Sequence, residues 1–237
     1  SNNAFGSKEM VTVNNKKAIK ALVLDFGGVI SKTLFETHAN TERALGLAPG
    51  QLTWQGPFAP ETDPLWVSMQ ADEISERDYW LTRSKETGEL VGQTWTKMSD
   101  LLIAARGDVP DEVIRPEFLH MLSRVKSAGY TTAILSNELD LFYGAAFREK
   151  LTFLPEIDVI HDATYTKTLK PVAEAYQNLI ADLGLRAEDC VFVDDQLRNI
   201  DGARAVGMAT VHFDVMNPAT SFAEAERLLG LHKGIER

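Results

Sequence analysis

The chain has 237 residues, 44% of them hydrophobic and 24% charged, an ordinary globular composition that excludes disorder as its main state. It carries 24 Lys and Arg against 34 Asp and Glu, a net charge of −10 that disfavours nucleic acid as a partner. No apolar run approaches the ~20 residues that span a bilayer, so no membrane segment is expected. The length suits one domain with a sizeable insert. Residues 1–17 are polar, lack an apolar signal core and read as a flexible tail behind a processed or engineered start at Ser1. A single cysteine, Cys190, fits a reducing compartment, and a cytoplasmic location is expected.

The first structural signal is Ala21–Leu24, a continuous apolar run of the kind that is buried on both faces in a parallel sheet, followed by Asp25 and the pair Gly27-Gly28. Glycines there allow a tight turn in which the backbone can approach a ligand. Pro116 suits the first position of a helix carrying Phe118, Leu119, Leu122 and Val125, with Gly129 closing it. Thr131–Leu135 is a β-prone run that ends in Ser136-Asn137. Ile157–Ile160 reads as a short strand. Lys170-Pro171 opens a helix over Val172, Tyr176, Leu179, Ile180 and Leu183. Cys190–Val193 is a strand that stops at Asp194-Asp195, and a helix then runs to Gly207. Met208–Phe213 is the last strand, and Ser221 with Glu224 has the spacing of a capping box for a final helix.

Strands alternating with helices imply βαβ units and a Rossmann-like parallel sheet, an α/β core. The stretch 31–110 lacks β-type runs and reads as an inserted helical cap after the first strand, leaving 18–30 and 111–237 as the core. All four tryptophans, Trp54, Trp66, Trp80 and Trp95, fall in this insert and are expected to pack its interior.

The polar residues that stand out share one position. Asp25, Ser136-Asn137 and Asp194-Asp195 each follow an apolar strand, and in a parallel sheet such carboxyl ends lie on one edge, where ligands bind. Three carboxylates in one cleft repel unless a cation sits among them, and hard oxygen ligands in small number suit Mg²⁺ beside a phosphate. A lysine and a hydroxyl next to them would neutralise and hydrogen-bond a phosphoryl group. A carboxylate on a glycine-flanked turn can attack phosphorus, forming an aspartyl-phosphate that water hydrolyses. Alone, each has a plainer reading: Asp25 as a turn residue, Ser136-Asn137 as a helix cap, Lys170 as a surface residue, Asp194-Asp195 as a capping pair. Cys190, at the start of a buried strand, is expected to be inert.

D-F-G-G-V-I at Asp25, L-S-N at Leu135–Asn137, K-P at Lys170 and V-D-D-Q-L-R-N at Val193–Asn199 together resemble the four motifs of the haloacid dehalogenase-like (HAD) hydrolase superfamily. The cap position is similar to subfamily IA, and the nearest flavour is the phosphatase domain of soluble epoxide hydrolases. The resemblance covers roughly Ala18 to Phe213. It implies that Asp25 is the nucleophile and a Mg²⁺ ligand, that Ser136 binds the phosphoryl group with Asn137 beside it, and that Lys170 stabilises the transferring charge. It further implies Asp195 as a direct Mg²⁺ ligand, Asp194 acting through water or Lys170, Asn199 as a brace, and the Gly27 carbonyl in the metal shell.

Two positions depart from that pattern. Many family phosphatases carry a second Asp two residues after the nucleophile as general acid, where this chain has Gly27. No obvious proton donor is left, and His38 and Glu36 are the first candidates to replace it. Lys167 stands where relatives often have glycine, which would alter the charge of the phosphate pocket. The expected activity is Mg²⁺-dependent hydrolysis of a small-molecule phosphate ester. The rivals are a metal-independent carbon–halogen hydrolase, which Gly27 also fits, and a non-catalytic binding or regulatory protein.

Overall fold

A computed structural model of the protein describes residues 18–106 and 109–231; the 1–17 segment read above as a tail and the 232–237 end of the core lie outside the described residues. Five parallel strands form one sheet in the order β3-β2-β1-β4-β5: β1 (Ala21–Leu24), β2 (Thr131–Ser136), β3 (Val159–Asp162), β4 (Cys190–Asp194) and β5 (Ala209–His212). β1 is central, and all four of its residues are buried, as an apolar run without alternation requires.

Helices cover both faces. On one, α5 (Pro116–Ser127) and α11 (Pro218–Leu229) close a core of Leu22, Leu24, Phe118, Leu122, Val193 and Phe222. On the other, α9 (Ala173–Leu183) and α10 (Leu197–Ala205) pack Tyr176, Leu179 and Ile200 against Val23, Ala133 and Phe192. Short helices α6 (Leu139–Tyr143), α7 (Ala145–Glu149) and α8 (Ala163–Thr166) follow β2 and β3. Gly129 ends α5 with φ 84° and Gly207 ends α10 with φ 97°, the left-handed conformation that glycine adopts without strain.

Three local expectations are corrected. The third strand begins at Val159, because Ile157 N–H is spent on Leu154 O (3.0 Å) in a preceding turn. The helix after Lys170 begins only at Ala173, since Pro171 disfavours helical backbone at Lys170, and Val172 is left exposed before it. The last helix starts at Pro218 behind Asn217. Ser221 is therefore inside it, its Oγ accepting from Asp214 N (2.9 Å), and Glu224 pairs with Arg227 instead of capping.

Between β1 and α5 the chain forms α1 (His38–Leu45), α2 (Pro64–Gln70), α3 (Glu76–Leu90) and α4 (Met98–Ala105). It leaves and re-enters the sheet layer through two adjacent segments: Ser31 and Ile114 form an antiparallel bridge, Lys32 N donates to Val113 O (2.7 Å) and Arg115 N to Ile30 O (2.9 Å). The insert has its own apolar centre of Phe35, Leu52, Trp54, Trp66, Met69, Tyr79 and Leu101, the aromatic rings meeting edge to face. Each such buried aromatic contributes roughly 1.5–3 kcal/mol of transfer free energy. Polar contacts that fasten this cap to the core include Arg77 with Glu138 (2.9 Å), Gln70 with Gln196 (3.2 Å), Arg198 with Met69 O (3.1 Å) and Asp72 (3.0 Å), Glu36 with Arg115 (2.9 Å), and Arg106 with Tyr143 O. No helix among the described residues is long and apolar enough to cross a membrane.

Candidate active site

Asp25 follows β1 in extended conformation, its N–H donating to Val193 O (2.9 Å), so its side chain leaves the sheet at the carboxyl edge beside β4. The chain then makes one wide turn, Phe26–Ile30. Gly28 sits in it at φ 83°, and a Cβ there would meet Asp195 Oδ2 at 3.1 Å, so this position needs glycine for conformation and for space. Arg115 clamps the turn from outside, donating to Gly28 O (2.9 Å) while paired with Glu36 (2.9 Å).

Lys170 is the hub. Its Nζ reaches Asp25 Oδ1 (2.9 Å), Asp194 Oδ2 (2.9 Å) and Leu135 O (2.7 Å) from a buried position. Burial works against the ammonium, but Asp194 and Asp25 outweigh it and hold its pKa above the ordinary lysine value. Asn137 grips the Lys170 backbone at two points, Oδ1 accepting from Lys170 N (2.7 Å) and Nδ2 donating to Lys170 O (3.1 Å). Asn199 donates to Asp194 Oδ2 (3.1 Å), and Asp194 Oδ1 accepts Gln196 N (2.8 Å). Both Asp194 oxygens are thus engaged. Among the described residues the Asp195 carboxylate has only a long contact from Gln196 Nε2 (3.5 Å).

Asp25, Asp194 and Asp195 each offer a carboxylate oxygen within 4.8 Å of the others. One ammonium does not balance three carboxylates. Burial, then Asp194, push Asp25 up to about 6 against the pull of Lys170, and burial with Asp194 and Asp25 pushes Asp195 well above the carboxylate range. A set of hard oxygen donors with surplus negative charge fits a divalent cation such as Mg²⁺.

The cleft above these groups is lined by Gly27, Ser136, Asn137 and Asn199 on the core side. Phe35, Trp66, Trp80 and Leu102 line it from the cap, and Phe142 and Tyr143 from α6. Trp66 and Trp80 therefore both pack the cap interior and wall the cleft, where packing alone was expected. Asp25, Gly27, Ser136, Asn137, Lys170, Asp195 and Asn199 all line this cleft, and Asp194 sits buried beneath it behind Lys170.

The proposed substitutes for the missing acid do not reach it. Glu36 is tied to Arg115 and to Thr33 N (2.7 Å). His38 Nε2 lies on Trp54 O (2.5 Å), and burial lowers its pKa. Lys167 turns its Nζ to Thr164 O (2.7 Å) at φ 61°, outside the cleft, so it does not charge the pocket; the left-handed backbone is the reason a glycine suits that position. Cys190 is buried, and burial raises its thiol to about 11, an unreactive state. Sequence reasoning missed Glu76, Glu138, Tyr143 and Arg115. The Ser75–Asp78 capping box marks the start of α3 and places Glu76 in its first turn, but nothing in that pattern says which way the turn faces.

A parallel sheet with a carboxylate at the end of its central strand, an ammonium bridging it to a second strand end and a roofed cleft above fits an enzyme on a Rossmann-like scaffold. The chain belongs to the haloacid dehalogenase-like hydrolase family, whose family model matches residues 19–207. It is 29% identical to mouse Acyl-CoA dehydrogenase family member 10 over 230 residues, 94% of this chain but 20% of that protein. It is 32% identical to (S)-2-haloacid dehalogenase 1 of Pseudomonas over 111 residues, 46% of this chain and 48% of that one. Phosphatase MT3486 of Mycobacterium tuberculosis is 27% identical over 195 residues, covering 81% of this chain and 85% of its own. The chain thus spans a fifth to a half of the first two relatives. In fold it is similar to the HAD-hydrolase YfnB of Bacillus subtilis, solved bound to magnesium (TM-score 0.65, 16% identity, 90% of this chain and 99% of that one).

Proposed function

We propose that the enzyme is a Mg²⁺-dependent phosphatase that hydrolyses small phosphate monoesters through an aspartyl-phosphate on Asp25. The observation that carries this reading is the surplus of negative charge where Asp25, Asp194 and Asp195 converge within 4.8 Å. A carbon–halogen hydrolase that releases halide has no use for three carboxylates around one point. A phosphatase does, because a bound cation needs them. The phosphatase relative from Mycobacterium tuberculosis and the magnesium bound to the Bacillus subtilis protein support the same reading.

In this reading Asp25, Asp195 and the Gly27 carbonyl hold Mg²⁺, with Asp194 behind them, and the ion supplies Lewis-acid stabilisation of the phosphoryl oxygens. Lys170 keeps Asp25 ionised and oriented for attack on phosphorus. Ser136 donates to a phosphoryl oxygen. Asn137 positions Lys170 through its backbone, and Asn199 positions Asp194. The organic half of the ester lies against Phe35, Trp66, Trp80 and Phe142, which favours an apolar or aromatic group over a polyhydroxylated one.

Carbon–halogen hydrolysis is the second reading. Gly27, the apolar cleft and the dehalogenase relative favour it. One experiment separates the two: hydrolysis of a generic aryl phosphate should stop in chelator and return with added Mg²⁺. Release of halide from a 2-haloacid at full rate in chelator, with no phosphatase activity, overturns the phosphatase reading.

A further inference from the structure

Resting on the phosphatase reading, we propose that the Glu76 carboxyl, carried on the cap, delivers the proton to the bridging oxygen of the departing alcohol, the task that Gly27 leaves open. Glu76 stands in the first turn of α3 and lines the same cleft as Asp25, Gly27 and Lys170. Among the described residues it has no hydrogen bond and no ion pair. Its neighbours in sequence are all occupied: Ser75 and Asp78 cap the helix, and Arg77 pairs with Glu138. A carboxyl facing a ligand cleft without a partner is an unusual expense unless it bears a proton or meets a ligand.

The groups facing Glu76 say which. Glu138, Asp25, Asp194 and Asp195 are the carboxylates around it; the cations are Lys170, Lys32 on the cleft wall and Arg77, which is spent on Glu138. Burial first, then Glu138, Asp25 and Asp194, push Glu76 up to about 8, so it holds a proton at neutral pH. An acid near the working pH is the efficient kind. Tyr143 is the other protonated group here. Its hydroxyl lies 3.9 Å from where a Gly27 Cβ would be and 3.1 Å from Ser31 Oγ. Burial raises it to about 12, which makes it a hydrogen-bond donor that gives up its proton reluctantly.

The step balances without a further reactant. Asp25 oxygen forms a bond to phosphorus, and the bond from phosphorus to the bridging oxygen breaks. That oxygen keeps the electron pair and takes the Glu76 proton, so the alcohol leaves neutral and Glu76 becomes a carboxylate. Glu76 then takes a proton from the water that attacks the aspartyl-phosphate. The phosphorus bond to Asp25 breaks, inorganic phosphate forms and both side chains return to their starting states.

The test compares the full chain with its Glu76→Gln variant, in Mg²⁺, on a nitrophenyl phosphate and a primary alkyl phosphate. The nitrophenolate leaves unaided and the alkoxide does not. Glu76→Gln should lose ~10²–10⁴-fold in kcat/KM on the alkyl ester and under ~10-fold on the nitrophenyl ester. Equal loss on both esters, or none, overturns the proposal, as does a leaving-group-selective loss in Tyr143→Phe with Glu76→Gln unaffected. If Glu76→Gln does not fold, Glu76→Asp, which keeps the acid and shortens its reach, is read by the same criteria. A wild-type chain inactive on both esters overturns the phosphatase reading and this donor with it; an active wild type matched by its variant overturns the donor alone.

Discussion

In the cap, Asp63 is wholly buried, accepts from Tyr79 Oη (2.6 Å), Trp66 N (2.9 Å) and Gly56 N (3.0 Å), and pairs with Arg83 (2.5 Å). Arg83 in turn lies over the Trp54 and Tyr79 rings, 5.2 Å from each centroid. At the sheet edge, Asp25 and Asp194 share the ammonium of Lys170, and Asp195 beside them has, among the described residues, only a long contact from Gln196. The first cluster sets one guanidinium against the buried Asp63, with both Asp63 oxygens met, and turns its other side to the exposed Glu86 (2.8 Å). The second carries a surplus of negative charge that the protein leaves uncancelled. Burial of charge is common to both, so burial does not mark the site; the imbalance does. A balanced buried pair ties structure together, whereas an unbalanced one is held in readiness for a ligand of opposite charge.

The largest expected effect is at the unbalanced cluster. Asp25→Asn keeps the shape of the side chain and removes the nucleophile, so turnover of any phosphate ester should fall by at least ~10³-fold while the circular dichroism spectrum stays that of the parent. Retained turnover would place the nucleophile elsewhere and reduce the sheet edge to a binding site.

Stability should respond in opposite directions at the two clusters. Asp63→Ala leaves Arg83 only the exposed Glu86, strips Tyr79 Oη, Trp66 N and Gly56 N of their acceptor, and should cost ~3–5 kcal/mol in denaturant unfolding. Asp195→Asn, measured in chelator at neutral pH, removes one of three crowded carboxylates and should raise the unfolding free energy. The sign follows from linkage. Asp195 has a raised pKa in the folded state, so its ionisation penalises folding at every pH above the unfolded carboxyl value, and the amide removes that penalty. Destabilisation by both variants to similar extents would mean that the sheet-edge carboxylates are balanced by contacts in the way Asp63 is.

The same contrast explains what could be read from the sequence. Asp25, Asp194 and Asp195 were legible because each follows an unbroken apolar run, and parallel strands bring their carboxyl ends to one edge whatever the loops do. The residues of the cleft roof were not. Glu76 comes to the same cleft as Asp25 through the packing of α3, 51 residues along the chain by number, and no local spacing encodes that approach. Glu36 sits just after the nucleophile turn, yet Arg115, 79 residues away, claims it. The final helix was misplaced for a local reason: Asn217-Pro218 starts a helix as well as Ser221 does, and Pro at the first position won.

The smallest expected effect on stability, and the sharpest on chemistry, comes from Gly27→Asp. Gly27 has φ −64° and ψ 122°, a conformation open to any residue, unlike Gly28 beside it. A Cβ at Gly27 would find nothing nearer than Tyr143 Oη at 3.9 Å, so the turn has room and no backbone strain to repay. The new carboxyl would join an edge already too negative, and its neighbours would keep it protonated to higher pH than a free Asp. Its cost should therefore stay within about 1 kcal/mol, less than for Asp63→Ala. Protonated and beside the nucleophile, it should act as a second acid. Hydrolysis should then depend less steeply on leaving-group pKa, and the double variant with Glu76→Gln should recover alkyl-ester turnover that Glu76→Gln alone has lost. Recovery in the double variant without change in the nitrophenyl rate would show that the two positions serve one proton, supplied by the cap in this chain and by the turn when an Asp is put there. No recovery, in a protein that folds and binds Mg²⁺ normally, would mean that the bridging oxygen lies out of reach of residue 27.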